Sequence, residues 1–492
     1  MGVVGELNRL AHGVLFPGVG RARLPRWAAE RVERGVGGFV VYGKDVESAE
    51  QLRALTDAAH GLREHVVLAA DEEGGDVSRL EYAGGTSMPG NLALGRIDEP
   101  AVTESAAYEI GLSLRDAGID WNLAPSVDVA VNPASPLGTR CFGADRGRVA
   151  THAAAWVRGL QAAGASACAK HFPGHGADTA DAHFGATTVD VPADELVASY
   201  LDPFRSAIDA GVDSVMVSHD RLPAVDPDLP AAISAPVITG LLRGELGYDG
   251  VVFTDALEMG GIAKVADLPT AAVLAIAAGA DALCLGSFAY GEDVDVAAAA
   301  LQAAVRDGRL TEERLRQAND RIARLGTRPR GTAERDSVLG VRLAERARTV
   351  RGDARLRGPH VLSVRLTASV SPAVGRPDWG VEGLLAAAGR DVTAVVVDGD
   401  TYRGASMVRA EIGQFRSEYG ADAPIVIQVR GAHRYEWTRP ILADLRDRCP
   451  DAVVVDMGLP ADSFEAFRGR VQTFGASRAC ARAAATALLD PA

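Results

Sequence analysis

The sequence predicts an α/β protein: a (β/α)8 TIM-like barrel followed by a smaller α/β domain of the αβα-sandwich type. Three observations predict it. Short apolar runs recur through the first 290 residues, segments with helical spacing lie between them, and a polar stretch at 326–338 is followed by a second, shorter series of such runs. Apolar runs of four to eight residues bounded by glycine or polar positions read as buried parallel strands. Strands alternating with helices give a parallel sheet. An open doubly wound sheet is the other arrangement this alternation allows.

The elements follow in order. Strands are expected at 12–17, 38–43, 66–70, 121–124, 166–170, 214–218, 250–254 and 281–285. Eight is the number a (β/α)8 barrel needs. Helical spacing is clear at 48–63 and 101–117. The segment 311–325 is amphipathic, with Thr311 as N-cap, glutamates in the first turn and Gly326 after its end. Residues 1–325 therefore form the predicted barrel. The Pro- and Gly-punctuated 326–338 is the linker, and 339–492 is the second domain. Its strands are expected at 360–366, 392–398, 425–429 and 452–456, with a closing Ala-rich helix over 478–489.

Composition narrows the function. At ~100–200 residues per domain, 492 residues make two to four domains or one large barrel with a smaller unit. A formal charge of −14 argues against a nucleic-acid partner. No stretch reaches ~18 apolar residues, so no membrane partner is expected. The N-terminus lacks the basic start and long apolar run of a signal peptide, and a cytoplasmic location is the expectation. Five scattered cysteines without a CxxC point away from a disulfide framework or a zinc site. Of the 51 basic residues only Lys44, Lys170 and Lys264 are lysines, so a lysine at a special position stands out.

In a barrel the chemistry sits at the C-terminal ends of the strands. The unusual polar residues fall there. Asp71, Glu72 and Glu73 follow the third strand, and Asp128 and Arg140 the fourth. Lys170 and His171 end the fifth, Ser218 and His219 the sixth, Asp255 the seventh. This placement points to an enzyme.

The densest stretch is KHFPGHG at 170–176 followed by ADTADAH at 177–183, with three of the ten histidines. Three readings fit it. His171, His175, Asp181 and His183 could chelate zinc, although HExxH spacing and cysteine are missing. The stretch could be a polar turn with satisfied imidazoles. It could also be an acid–base site, because Asp181 and His183 are two apart and share a side in extended chain. The carboxylate would then raise the imidazole pKa toward the range useful for proton transfer at neutral pH. Asp255, at a strand end in VVFTDALEM, is the candidate anionic partner or else a helix cap.

These motifs resemble the bacterial β-N-acetylglucosaminidases of glycoside hydrolase family 3. The resemblance rests on KHFPGHG with Asp-x-His downstream, on DEEGGDVSRL at 71–80, NLAPSVDV at 122–129 and NPASPLGTRCFG at 132–143. LDPFRSAIDAG at 201–211, MVSH at 216–219 and FTDALEM at 253–259 extend it. Region 339–492 looks like the second domain of the two-domain members. The resemblance implies a retaining hydrolase with Asp255 as nucleophile, His183 as general acid/base and Asp181 as its supporting carboxylate. It implies sugar contacts from Asp71, Arg79, Arg140, Lys170 and His171, a small carbohydrate as partner, and neither metal nor other cofactor. The expected reaction is exo-hydrolysis of terminal β-GlcNAc from cell-wall fragments or chitooligosaccharides. Phosphorolysis by the same residues, a β-glucosidase of the same family and a sugar sensor are the alternatives. Three departures from the family pattern are Ala182 for serine, Asp76 for a common arginine, and Phe-Gly-Ala-Thr after His183.

Overall fold

The apolar runs become strands because each is too short for a stable helix and each buries both faces. The computed structural model of the chain describes residues 3–63, 65–132, 135, 137–175, 187–192, 196, 200–367, 374, 379–399, 404–460 and 464–489, with side chains from residue 5 onward. It divides into two compact units. One comprises 1–73, 99–137 and 143–336, the other 74–98, 138–142 and 337–492.

The strands of the first unit are β1 (Leu15–Pro17), β2 (Gly38–Val41), β3 (Val67–Ala70), β4 (Trp121–Asn122), β5 (Cys168–Phe172) and β6 (Ser214–Val217). They continue with β7 (Arg221–Leu222), β8 (Asp226–Pro230), β9 (Val251–Thr254) and β10 (Leu283–Gly286). Apart from the antiparallel hairpin β7–β8, these strands pair in parallel. The ladders are β10–β1, β2–β3–β4 and β5–β6–β9. Single parallel bridges, Gly18 to Val40, Trp121 to Ser166 and Phe253 to Ala282, connect the ladders in turn. Every residue of the eight parallel strands is buried. The rings of Phe16 on β1, Trp121 on β4 and Phe253 on β9 meet at centroid distances of 4.6–5.8 Å. Trp121 Nε1 donates to Ser214 Oγ on β6 at 2.7 Å, so the buried indole N–H is satisfied.

Helices lie between the strands where the spacing predicts them, Ala49–His60, Pro100–Asp116 and Glu312–Ile322, and a further one spans Arg146–Ala162. The Ser48 and Thr311 side chains accept from the backbone N–H three residues on, which closes two of these helix starts. Residues 326–336, within the segment read as the linker, are bonded to the first unit. Arg328 pairs with Asp213 at 2.7 Å, Gly331 N donates to Ala163 O at 3.1 Å, and Asp336 N donates to Glu109 at 2.8 Å.

The second unit holds β11 (Thr349–Gly352), β12 (His360–Thr367), β13 (Asp391–Asp398), β14 (Ile425–Val429), β15 (Val453–Asp456) and β16 (Gly469–Gln472). Their spatial order is β11-β16-β15-β14-β12-β13, parallel except for β11. Side chains alternate between the faces. Val426, Val453 and Val455 pack under helix Arg478–Leu489 on one side. Ile425, Ile427 and Val454 pack under helices Gly404–Tyr419 and Thr438–Arg448 on the other. This is a three-layer αβα arrangement. Among the described residues, no helix is long and apolar enough to cross a membrane.

Candidate active site

Lys170, in the middle of β5, is 1% exposed. A buried ammonium needs anionic partners to offset its lost hydration. It has two: Asp71 Oδ1 at 2.6 Å and Glu73 Oε1 at 2.7 Å, both just past the end of β3. Asn122 at the end of β4 clamps that turn. Its Nδ2 donates to Glu72 O and its Oδ1 accepts from Glu72 N, each at 2.9 Å. Glu73, which the sequence placed only among the acids after the third strand, and Asn122, which it did not single out, make contacts that local spacing does not show.

His171 follows directly. Its Nδ1 lies 2.7 Å from Asp128 Oδ2, and Ser126 Oγ donates to the same oxygen at 3.0 Å. The His175 backbone N–H donates to Asp128 Oδ1 at 2.6 Å. Burial alone would push the Asp128 carboxyl up. The charge of His171 and the bonds from His171 and His175 outweigh it and hold this acid below its ordinary value. The same design repeats one step further. His175 Nδ1 sits 2.9 Å from Asp220 Oδ1, and Ser218 Oγ and Thr187 Oγ1 donate to that carboxylate. Burial opposes ionisation there too, yet the charge and bonds of His175 and the two hydroxyl donors hold Asp220 at about 2. His175 is thus anchored by a buried carboxylate that the sequence did not single out.

Asp255 stands at the first position after β9 and is half-buried. Its N–H donates to Val217 O on β6 at 2.9 Å, and its Oδ1 accepts from Ala256 N at 2.7 Å. His219 Nε2 lies 2.8 Å from Ala256 O, which fixes the same turn from β6. Asp71, Asp128, Lys170, His171 and Asp255 therefore all sit at or near the C-terminal ends of parallel strands of the first unit. Asp181 and His183 lie outside the described residues.

Arg79 and Arg140 belong to the second unit by packing. Arg79 is buried, and the Arg140 carbonyl accepts from Asn91 Nδ2 at 2.8 Å. Beside them Asp76, also buried, accepts from Arg430 Nη2 at 2.6 Å, from Ala476 N at 3.2 Å and from the Thr139 hydroxyl. Two members of the zinc reading, His171 and His175, are engaged by Asp128 and Asp220. Among the described residues no group of three or more His, Cys, Asp or Glu side chains could hold a metal ion. All five cysteines are buried, and none forms a disulfide.

A cluster of charged side chains at strand ends can bind a polyhydroxylated ligand through fixed donors and acceptors, and it can stabilise a cationic transition state. Comparison with known proteins agrees with that chemistry. Residues 23–325 match the glycosyl hydrolase family 3 N-terminal domain. The chain is similar to the β-hexosaminidase of Methylobacillus flagellatus, at 35% identity over 257 residues, 51% of this chain and 73% of that protein. It is similar to the β-N-acetylglucosaminidase/β-glucosidase of Cellulomonas fimi, at 34% identity over 301 residues, 59% of this chain and 52% of that one. Its fold resembles the structure of a family 3 β-N-acetylglucosaminidase from Paenibacillus sp. str. FPU-7, with TM-score 0.86 and 31% identity over 98% of this chain and 96% of the other. The chain belongs to glycosyl hydrolase family 3 and is a glycoside hydrolase.

Proposed function

We propose that this chain is a retaining, exo-acting β-N-acetylhexosaminidase that removes terminal β-GlcNAc from cell-wall fragments or chitooligosaccharides. The observation that carries the reading is the buried Lys170 held between Asp71 and Glu73 at the strand ends. It pre-orients charged hydrogen-bonding groups for sugar hydroxyls. The choice of N-acetylglucosamine rests on the likeness to the Paenibacillus β-N-acetylglucosaminidase, and the hexosaminidase reading on the likeness to the M. flagellatus β-hexosaminidase.

In this reading Asp255 attacks the anomeric carbon and forms a glycosyl-aspartate, while its charge stabilises the oxocarbenium-like transition state. His183, supported by Asp181, protonates the leaving oxygen and then deprotonates the incoming water. Asp71, Lys170 and His171, with Arg79 and Arg140, bind the sugar. The catalytic unit is a (β/α)8 barrel joined to a smaller α/β domain. The ladder-and-bridge sequence of eight parallel strands and the converging rings of Phe16, Trp121 and Phe253 support the barrel.

The test is turnover of chromogenic β-GlcNAc and β-glucoside substrates, with product identification in the presence and absence of phosphate. The expected result is β-GlcNAc cleavage to free sugar, abolished in Asp255→Ala. The double activity of the C. fimi relative, a β-N-acetylglucosaminidase/β-glucosidase, makes β-glucosidase the second reading. Cleavage of the β-glucoside alone would establish that one instead, and a sugar 1-phosphate product would establish phosphorolysis.

A further inference from the structure

Phe288 is the most exposed large apolar side chain among the described residues, at 70%. A lone exposed apolar residue is ordinary on a protein surface. This one is distinguished by its address and by how firmly it is held. It lies two residues past β10, on the side where the strands end. The neighbouring strand β9 ends at the proposed nucleophile, and Leu257 N donates to Cys284 O at 2.9 Å, binding the two turns together.

The holding is specific. Glu258, three residues beyond Asp255, accepts from Ser287 N at 2.6 Å and from Phe288 N at 3.2 Å. From the other side, Lys44 Nζ donates to Ser287 O at 2.6 Å. The same ammonium lies 4.4 Å from the centroid of the Phe288 ring. One ring face is thus backed by a cation, a geometry that ring quadrupoles favour, while the side chain as a whole stays in solvent. Lys44 is one of only three lysines in a chain that uses arginine for nearly every other positive charge. Lys264 also lies in the connection after β9. All three lysines therefore occur in, or shortly after, parallel strands of the first unit.

We propose that Phe288, pinned by Glu258 and backed by Lys44, is the platform for the leaving-group sugar, the ring that departs when the glycosidic bond is cut. The ligand class is a pyranose that presents a C–H face to the aromatic ring. The assignment rests on the reading of Asp255 as nucleophile and adds a contact on the far side of the scissile bond. An aromatic ring held rigid before substrate arrives has little ordering left to lose on stacking.

The experiment compares two substrates with the same glycone. One is di-N-acetylchitobiose, whose leaving group is a sugar. The other is N-acetyl-β-glucosaminyl fluoride, whose leaving group has no ring. For each variant the readout is the ratio of kcat/KM for the disaccharide to kcat/KM for the fluoride. Phe288→Ala is expected to lower that ratio about threefold to tenfold, Phe288→Tyr to hold it near the wild-type value, and Lys44→Met to give an intermediate fall. A ratio unmoved in Phe288→Ala, with wild type turning over both substrates, overturns the platform and leaves the reading of the site intact. A wild type that cleaves the fluoride but not the disaccharide also overturns the platform alone. A wild type that cleaves neither overturns both.

Discussion

Asp76 and Arg430 form an ion pair 2.6 Å long across 354 positions of sequence, and the carboxylate side is almost wholly buried. The family resemblance leads one to expect arginine at 76, so the charge is inverted here and answered from β14's far end. Thr139 also donates to Asp76, and its neighbour is Arg140. The pair therefore holds the segment that carries a proposed sugar contact. Arg430→Met leaves a buried carboxylate without its cation, and about 3 kcal/mol of stability in the second unit is expected to go with it. KM for the β-GlcNAc substrate should rise several-fold with kcat less affected. Exchanging the charges, Asp76→Arg with Arg430→Asp, should recover part of both losses. Thermal scans and steady-state kinetics on the two variants check this.

Lys170→Met removes the cation shared by Asp71 and Glu73. Two carboxylates are then left together without the buried cation between them, and kcat/KM is expected to fall by about 100-fold or more. Lys170→Arg should recover little, because a planar fork cannot replace a compact ammonium between two acids. Rates on a chromogenic β-GlcNAc substrate decide it. Activity near wild type in Lys170→Arg would show that charge alone suffices.

Asp220 and Asp456 should respond to pH in opposite senses. Asp220 is held at about 2 against an ordinary 3.8, so its stabilisation of about 2 kcal/mol is present above pH 4 and is lost as pH falls toward 2. Asp456 is raised to about 6, mainly by burial, against the opposing pull of Arg470. Its protonated form is favoured in the fold, so the stability it contributes below pH 4 is lost as pH rises through 6, by about 3 kcal/mol. Thermal midpoints against pH are the measurement. Asp456→Asn should remove the decline between pH 4 and 6, and Asp220→Asn the decline below pH 4.

Thr311→Ala should cost about 1 kcal/mol, because the Arg314 N–H loses its acceptor at the start of helix Glu312–Ile322. Thr311→Ser should cost much less. A shift of the first unit's melting transition reads both.

The parallel strands were legible because burial on both faces writes itself as uninterrupted apolar runs, such as VVFT at β9 and VVVD at β15. Strands β11 (TVRG) and β16 (GRVQ) were not, since arginine and glycine break the run and β11 is exposed along most of its length. The hairpin β7–β8 escaped for a related reason: Asp226–Pro230 contains two prolines, which read as turn. In the site, Lys170, His171 and Asp71 were legible from their position at strand ends. Their partners were less so. Glu73 meets Lys170 over 97 positions and Asp220 meets His175 over 45, and no local periodicity encodes such pairings. Asp76 looked like a change of local charge because its counterion lies in the other half of the chain.

The polypeptide passes between its two compact units five times, at 73/74, 98/99, 137/138, 142/143 and 336/337. During synthesis, residues 74–98 and 138–142 leave the ribosome long before the rest of their unit exists. At about 5–20 residues per second the wait is on the order of ten seconds or more. Throughout that interval Asp76 has no Arg430 to pair with, and the segments bearing Arg79 and Arg140 have no sheet to pack on. A nascent chain stalled after residue 336 would therefore hold both segments without the residues that complete their unit.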